Sequence, residues 1–159
     1  MPSLTPIIRQ TAWISLVPQL IVMGLLIYGF HLLRFSTPSA FIYGALAYLT
    51  LSSSLRKWLK KHHKEGIRLV KEQDFENAIL SFEKSVAFFT RNTWIDKYRF
   101  LTMLDSSRIS YKEMGLTNIA FCYYRMGDTE MAKAHYEGLL SEFPESKLAN
   151  ASLTMLNTP

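Results

Sequence analysis

Two long apolar runs open this chain, residues 11–33 and 39–54, with only Arg34, Phe35, Ser36, Thr37 and Pro38 between them. As a helix rising about 1.5 Å per residue, the first run reaches about 34 Å, against about 30 Å for the hydrocarbon core of a bilayer. The second is shorter and extends through Leu55 toward Trp58. So short a connection leaves room for a tight turn and not for a domain. The pattern predicts a two-helix transmembrane hairpin over residues 1–56, with spans about 11–33 and 39–55. Pro18 removes one backbone donor and bends the first helix. Ala40 and Gly44 stand four apart and permit close helix approach, either inside the hairpin or between two copies of the chain in a homodimer. A cleaved leader fits poorly, because the first run exceeds the apolar segment of a usual leader and only Arg9 precedes it.

From about Arg56 the pattern turns amphipathic, and Pro is absent from Ser39 to Phe143. Sparse turn signals divide the rest into predicted helices over about 57–72, 75–90, 94–104, 107–126, 129–142 and 146–156. Asp74 and Asp128 are predicted N-caps, their carboxylates accepting from free amides of the following turn. With no Pro or Gly between the second span and the first amphipathic helix, the two are expected to form one continuous rod. The whole chain reads as all-α.

Charge sharpens the division. Residues 1–64 contain no acidic residue but hold Arg9, Arg34 and a cluster of Arg56, Lys57, Lys60, Lys61 and Lys64, whereas the remainder carries 11 basic against 13 acidic residues. The net charge of +5 therefore comes from the N-terminal part. With no basic face on the remainder, nucleic-acid binding is disfavoured. The basic cluster is expected at a membrane interface, in contact with lipid. By the positive-inside bias both termini then lie on the cytoplasmic face of a multi-pass membrane protein, of bacterial inner-membrane type.

The C-terminal part repeats itself. A shift of 54 positions aligns Asp74 with Asp128, Ala78 with Ala132, Phe82 with Tyr136 and Glu83 with Glu137, while Gly66 falls on Ala120 and Leu69 on Tyr123. Small residues at 66, 78, 120 and 132 allow two helices to approach, and the large residues fill the flanks. These residues resemble the tetratricopeptide repeat family, in which a small residue is followed by a large one three later, Ala nine after that, and an aromatic four further on. Gly66, Leu69, Ala78 and Phe82 meet that pattern, as do Ala120, Tyr123, Ala132 and Tyr136; Pro144 matches the proline that closes a repeat. Glu65, Thr90 and Leu139 depart from it.

The resemblance implies a helical-repeat domain over 57–159, with repeats about 59–92 and 113–146 and a capping helix about 146–156. The offset exceeds the family period of about 34 residues, which implies an insertion over about 93–110. That insertion is rich in Trp94, Ile95, Tyr98, Phe100, Leu101, Met103 and Leu104, and is expected to pack as an extra helix against the repeats. An exposed patch for a partner is the alternative.

Family members bind peptides or proteins in the groove lined by the first helix of each hairpin. Its groove positions map onto His63, Ile67, Val70 and Lys71 in the first repeat, and Thr117, Asn118, Phe121, Tyr124 and Arg125 in the second. This surface suits an extended acidic or amphipathic segment, with Arg125 or Lys71 pairing a carboxylate; otherwise the same residues pack against the inserted helix. Chemistry finds no foothold: there is no phosphate loop or zinc-protease motif, and the lone Cys122 sits between Phe121 and Tyr123 in an apolar helix. The expectation is a non-enzymatic scaffold or adaptor without a cofactor, recruiting a protein or peptide partner to the membrane. An accessory subunit of a larger membrane enzyme or transporter is the alternative.

Overall fold

The computed structural model describes residues 16–105, 107 and 109–157. Among these the chain is all-α, with helices α1 (Leu16–Leu32), α2 (Thr37–Leu59), α3 (Lys61–Lys71), α4 (Phe75–Arg91), α5 (Thr93–Lys97), α6 (Arg99–Thr102), α7 (Tyr111–Arg125), α8 (Thr129–Glu142) and α9 (Lys147–Asn157). They group into two units. One holds described residues up to Lys60 together with 94–107; the other holds 61–93 and 109–157.

In the N-terminal unit, α1 and α2 form an antiparallel hairpin. Arg34 takes a left-handed conformation (φ 65°), and Phe35 N–H donates back to Phe30 O at 3.3 Å, so the chain reverses within a few residues. Pro38 then falls in the first turn of α2, where no backbone donor is needed. Phe35 lies edge-on to both Phe30 and Tyr43, with centroids 5.6 and 5.3 Å away, and pins the turn. A Cβ on Gly44 would fall 2.5 Å from Ile27 Cγ1 and 2.8 Å from its Cα, so the two backbones approach as only glycine allows. Ala40 is fully buried as well. The small-residue spacing is therefore used within the hairpin.

The expectation of a multi-pass membrane protein is overturned: among the described residues no helix is long and apolar enough to cross a membrane. The 17 described residues of α1 reach about 25 Å. In α2, Thr50, Ser52, Ser53 and Ser54 dilute the apolar run before Arg56 and Lys57. Residues 11–15 of the first expected span lie outside the described residues. The rod is corrected too. Helix α2 ends at Leu59, Lys60 leaves helical geometry (φ −103°, ψ 14°), and α3 starts afresh at Lys61.

The inserted segment also departs from expectation. In place of a single helix it forms the short helices α5 and α6, broken at Tyr98, and groups with the hairpin, where α6 packs on α1. Arg56 holds it by donating to Met103 O (3.2 Å) and to Leu104 O. Lys60 Nζ meets Asp105 Oδ2 at 2.5 Å. Thus two members of the basic cluster expected at a lipid surface serve as internal fastenings, while Lys57, Lys61 and Lys64 are exposed.

In the repeat unit, the turn between α3 and α4 and that between α7 and α8 share one geometry. Gln73 (φ 63°) and Gly127 (φ 86°) are both left-handed. Asp74 N–H donates to Leu69 O and Asp128 N–H to Tyr123 O, each at 3.0 Å. Both aspartates then cap the next helix, Asp74 accepting from Asn77 N–H and Asp128 from Met131 N–H. The two turns differ in cost, since a side chain at positive φ strains the backbone. Gln73→Gly should raise the unfolding free energy by about 0.5–1 kcal/mol, and Gly127→Ala lower it by about 1 kcal/mol. A Cβ at Gly127 would meet nothing within 4 Å, so its penalty is purely conformational. Urea unfolding followed by circular dichroism checks both signs.

The core of this unit runs through α3, α4 and α7. Phe82 and Ala78 are fully buried, with Leu69, Ile79, Ile119 and Cys122 around them. Gly66 faces the Phe82 ring, and Gly115 faces Val86, where a Cβ would fall 2.6 Å from a methyl. The α7–α8 hairpin closes on α9 through Ala120, Tyr136, Leu139 and Ala149, with Leu153 and Leu156 against them. Tyr136 is held by Ser152, and burial pushes its phenol above the ordinary range.

Candidate functional site

The nine positions mapped to a groove divide between surface and core. Ile67, Lys71, Tyr124 and Arg125 are exposed, and Val70 and Asn118 are half-buried. Phe121 is 8% exposed. His63 and Thr117 are buried in the core. The His63 imidazole lies edge-on to Phe82 (5.5 Å) and Tyr111 (5.2 Å), an aromatic setting completed by Phe89 stacked on Tyr111. Thr117 is buried and turns its hydroxyl back to Glu113 O at 2.9 Å, satisfying the group within its own helix.

What remains at the surface is a short cationic and aromatic strip along the C-terminal halves of α3 and α7. Within it, Arg125 lies against two rings. The guanidinium Cζ lies 5.2 Å from the Phe75 ring centroid and 5.7 Å from that of Phe121, so two aromatic faces attract it electrostatically. Phe75 opens α4, immediately after the Asp74 cap. Nothing in the sequence flagged Phe75. Its counterpart in the second repeat is Thr129, and its partner Arg125 is 50 residues away. Arg68, by contrast, is committed to Glu65 and Glu72, each at 2.6 Å, which holds the Glu65 carboxyl below its ordinary range through the hydrogen bond and charge of Arg68.

This repeated hairpin, its capped turns and its small-residue contacts can be set against known families. Residues 115–146 match the tetratricopeptide repeat family. No curated protein and no solved structure matches the chain. The matched stretch covers α8 and most of α7, including Asn118, Phe121, Tyr124 and Arg125 of the candidate site. Tetratricopeptide repeats generally mediate protein–protein interaction and are typically non-catalytic.

Cys122 lies within the matched stretch. The thiol is buried in the core beside Ala78 and Ile119, and burial pushes it up to about 12, with Arg125 opposing only weakly. A thiol at that value carries almost no thiolate at neutral pH, and the thiolate is the reactive form. Native protein at pH 7.5 (about one unit below a free thiol) should therefore alkylate with iodoacetamide at least about a hundredfold more slowly than the urea-unfolded chain. Mass spectrometry of the Cys122 peptide over time measures the ratio; equal rates would mean the thiol is accessible.

Proposed function

We propose that the repeat unit is a protein–protein interaction module, a scaffold or adaptor, that holds a protein or peptide segment along the exposed strip of α3 and α7. The carrying observation is the exposure of Ile67, Lys71, Tyr124 and Arg125 on the first helices of two hairpins whose turns are built alike. An exposed aromatic and an exposed arginine are the residue types that dominate binding energy at protein interfaces. A photo-crosslinking residue placed at Tyr124 or Ile67 should form a covalent adduct with the partner, whereas the same group at Glu83 or Lys84, exposed on α4, should not. Tyr124→Ala should weaken capture about tenfold or more. Adducts of equal yield from all four sites would defeat the reading.

A second reading is favoured by the other unit. The helices α1 and α2 expose Leu20, Leu25, Leu46, Leu49 and Trp58, the last at 77%. Exposed apolar residues on this scale mark a surface that another molecule covers. On this reading the chain is an accessory subunit of a larger assembly, and the hairpin is the main contact. Crosslinking from Leu25 or Leu49, with none from Tyr124, would favour it. Enlarging Gly44 is no clean test of either, because that position already lies against Ile27 inside the hairpin.

A further inference from the structure

Arg125 differs from the other arginine of the repeat unit's first helices in what surrounds it. Arg68 is neutralised on both sides by Glu65 and Glu72. Arg125 is exposed, and among the described residues no carboxylate lies within ion-pair distance of it; its neighbours are the rings of Phe75 and Phe121. A cation over an aromatic ring is restrained without spending any of its five N–H donors. The rings lower the entropy lost when the guanidinium engages a ligand, and they leave its planar fork available for a bidentate acceptor. Among the nine mapped positions Lys71 and Arg125 are cationic and none is acidic. Beside them, Ile67 and Tyr124 offer apolar surface.

We infer that Arg125, braced by Phe75 and Phe121, is the contact that takes a side-chain carboxylate of an extended acidic segment carrying an apolar residue. This rests on the interaction-module reading above and adds the partner's chemistry to it. Carboxylate fits better than phosphate, since phosphoryl recognition draws on clustered arginines and the strip holds one. Lys71 supplies a second, less directional cation for a neighbouring acidic residue.

The test uses the full chain and a fluorescein-labelled peptide that alternates Glu with Leu and Phe, alongside versions carrying Gln or phosphoserine at every Glu. Fluorescence anisotropy should show the Glu peptide binding about tenfold or more tightly than the Gln peptide. Arg125→Gln should erase that preference, Arg125→Lys should keep only part of it, and Phe75→Leu should weaken the Glu peptide about threefold by freeing the guanidinium. Unchanged unfolding midpoints in these variants separate binding from folding. Equal binding of the Glu and Gln peptides, or a preference that survives Arg125→Gln, overturns the inference; so does tighter binding of the phosphoserine peptide. If adducts still form at Tyr124 while the Glu preference is missing, only the carboxylate assignment falls. Absence of both removes the interaction-module reading as well.

Discussion

Phe82→Ala should lower the stability of the repeat unit by about 3–5 kcal/mol, the range for truncating a fully buried aromatic residue. Phe82 has no exposed surface and is among the largest side chains so enclosed. Its ring fills the space that Gly66 leaves open, and a Cβ on Gly66 would fall 2.6 Å from Cε1 and 2.8 Å from Cδ1 and Cζ. Glycine and ring are one fitting, so their substitutions should not add. Gly66→Ala alone should cost about 1–3 kcal/mol, because the enclosed ring has nowhere to move. In a Phe82→Leu background the added methyl meets a smaller side chain. The double variant should then be more stable than the sum of the singles predicts by about 1 kcal/mol or more. Urea unfolding of the four proteins of the cycle gives the coupling energy; strict additivity would show that Gly66 and Phe82 do not constrain each other. A loss of this size is a large share of the roughly 5–15 kcal/mol that holds a typical domain. Phe82→Ala should therefore also increase proteolytic cleavage within α3 and α4.

The same fitting explains why the repeats were legible in the sequence. A helical hairpin is specified by few, local requirements: a small residue where the axes cross, a large one opposite, a left-handed residue in the turn and an aspartate to cap the next helix. Gly66, Phe82, Asp74 and Asp128 meet these needs within short stretches, and α4 and α8 start within a residue of where their caps predict. The all-α fold followed from that periodicity.

Position across the fold was less legible. Mapping by family pattern places His63 and Thr117 in a groove, but both are buried, and Tyr111, at the start of α7 and outside the pattern, packs edge-on to the imidazole with Phe89, late in α4, stacked on Tyr111. Phe75 escapes for the converse reason, as its contact with Arg125 reaches into another hairpin. In the N-terminal unit, apolar length was read as spanning length. The described part of α1 is too short and α2 too polar toward its end, where three consecutive serines precede Arg56. The basic cluster was read by composition, which shows how many charges a segment has and not what they meet. Asp105, the partner of Lys60, lies 45 residues further on, in a segment whose apolar content suggested only that it must be buried somewhere.

Lys60→Met should release that segment. The Lys60 and Asp105 side chains are 11% and 18% exposed, and their contact of 2.5 Å ties the residue that ends α2 to the inserted segment. Methionine keeps most of the apolar stem and removes the ammonium that faces Asp105, so a partly desolvated carboxylate would lose this charge-assisted contact. Removing one member of such a pair costs more than the pair itself contributes, and here about 3 kcal/mol is expected. The loss should be local. Amides of Met103 and Asp105, both bonded to Arg99 O at 3.1 Å, should exchange with solvent about a hundredfold faster, while those of α7 and α8 keep their protection. Asp105→Asn leaves a neutral acceptor for the lysine and should cost less. The double variant Lys60→Met/Asp105→Leu removes both charges and should recover most of the loss, because an apolar pair of similar volume carries no desolvation penalty. Unchanged exchange in Lys60→Met would mean that Arg56, through the carbonyls of Met103 and Leu104, fastens the segment by itself. The two basic residues would then be separable in function although only four positions part them at the end of α2, and Arg56→Met would become the variant that frees the segment.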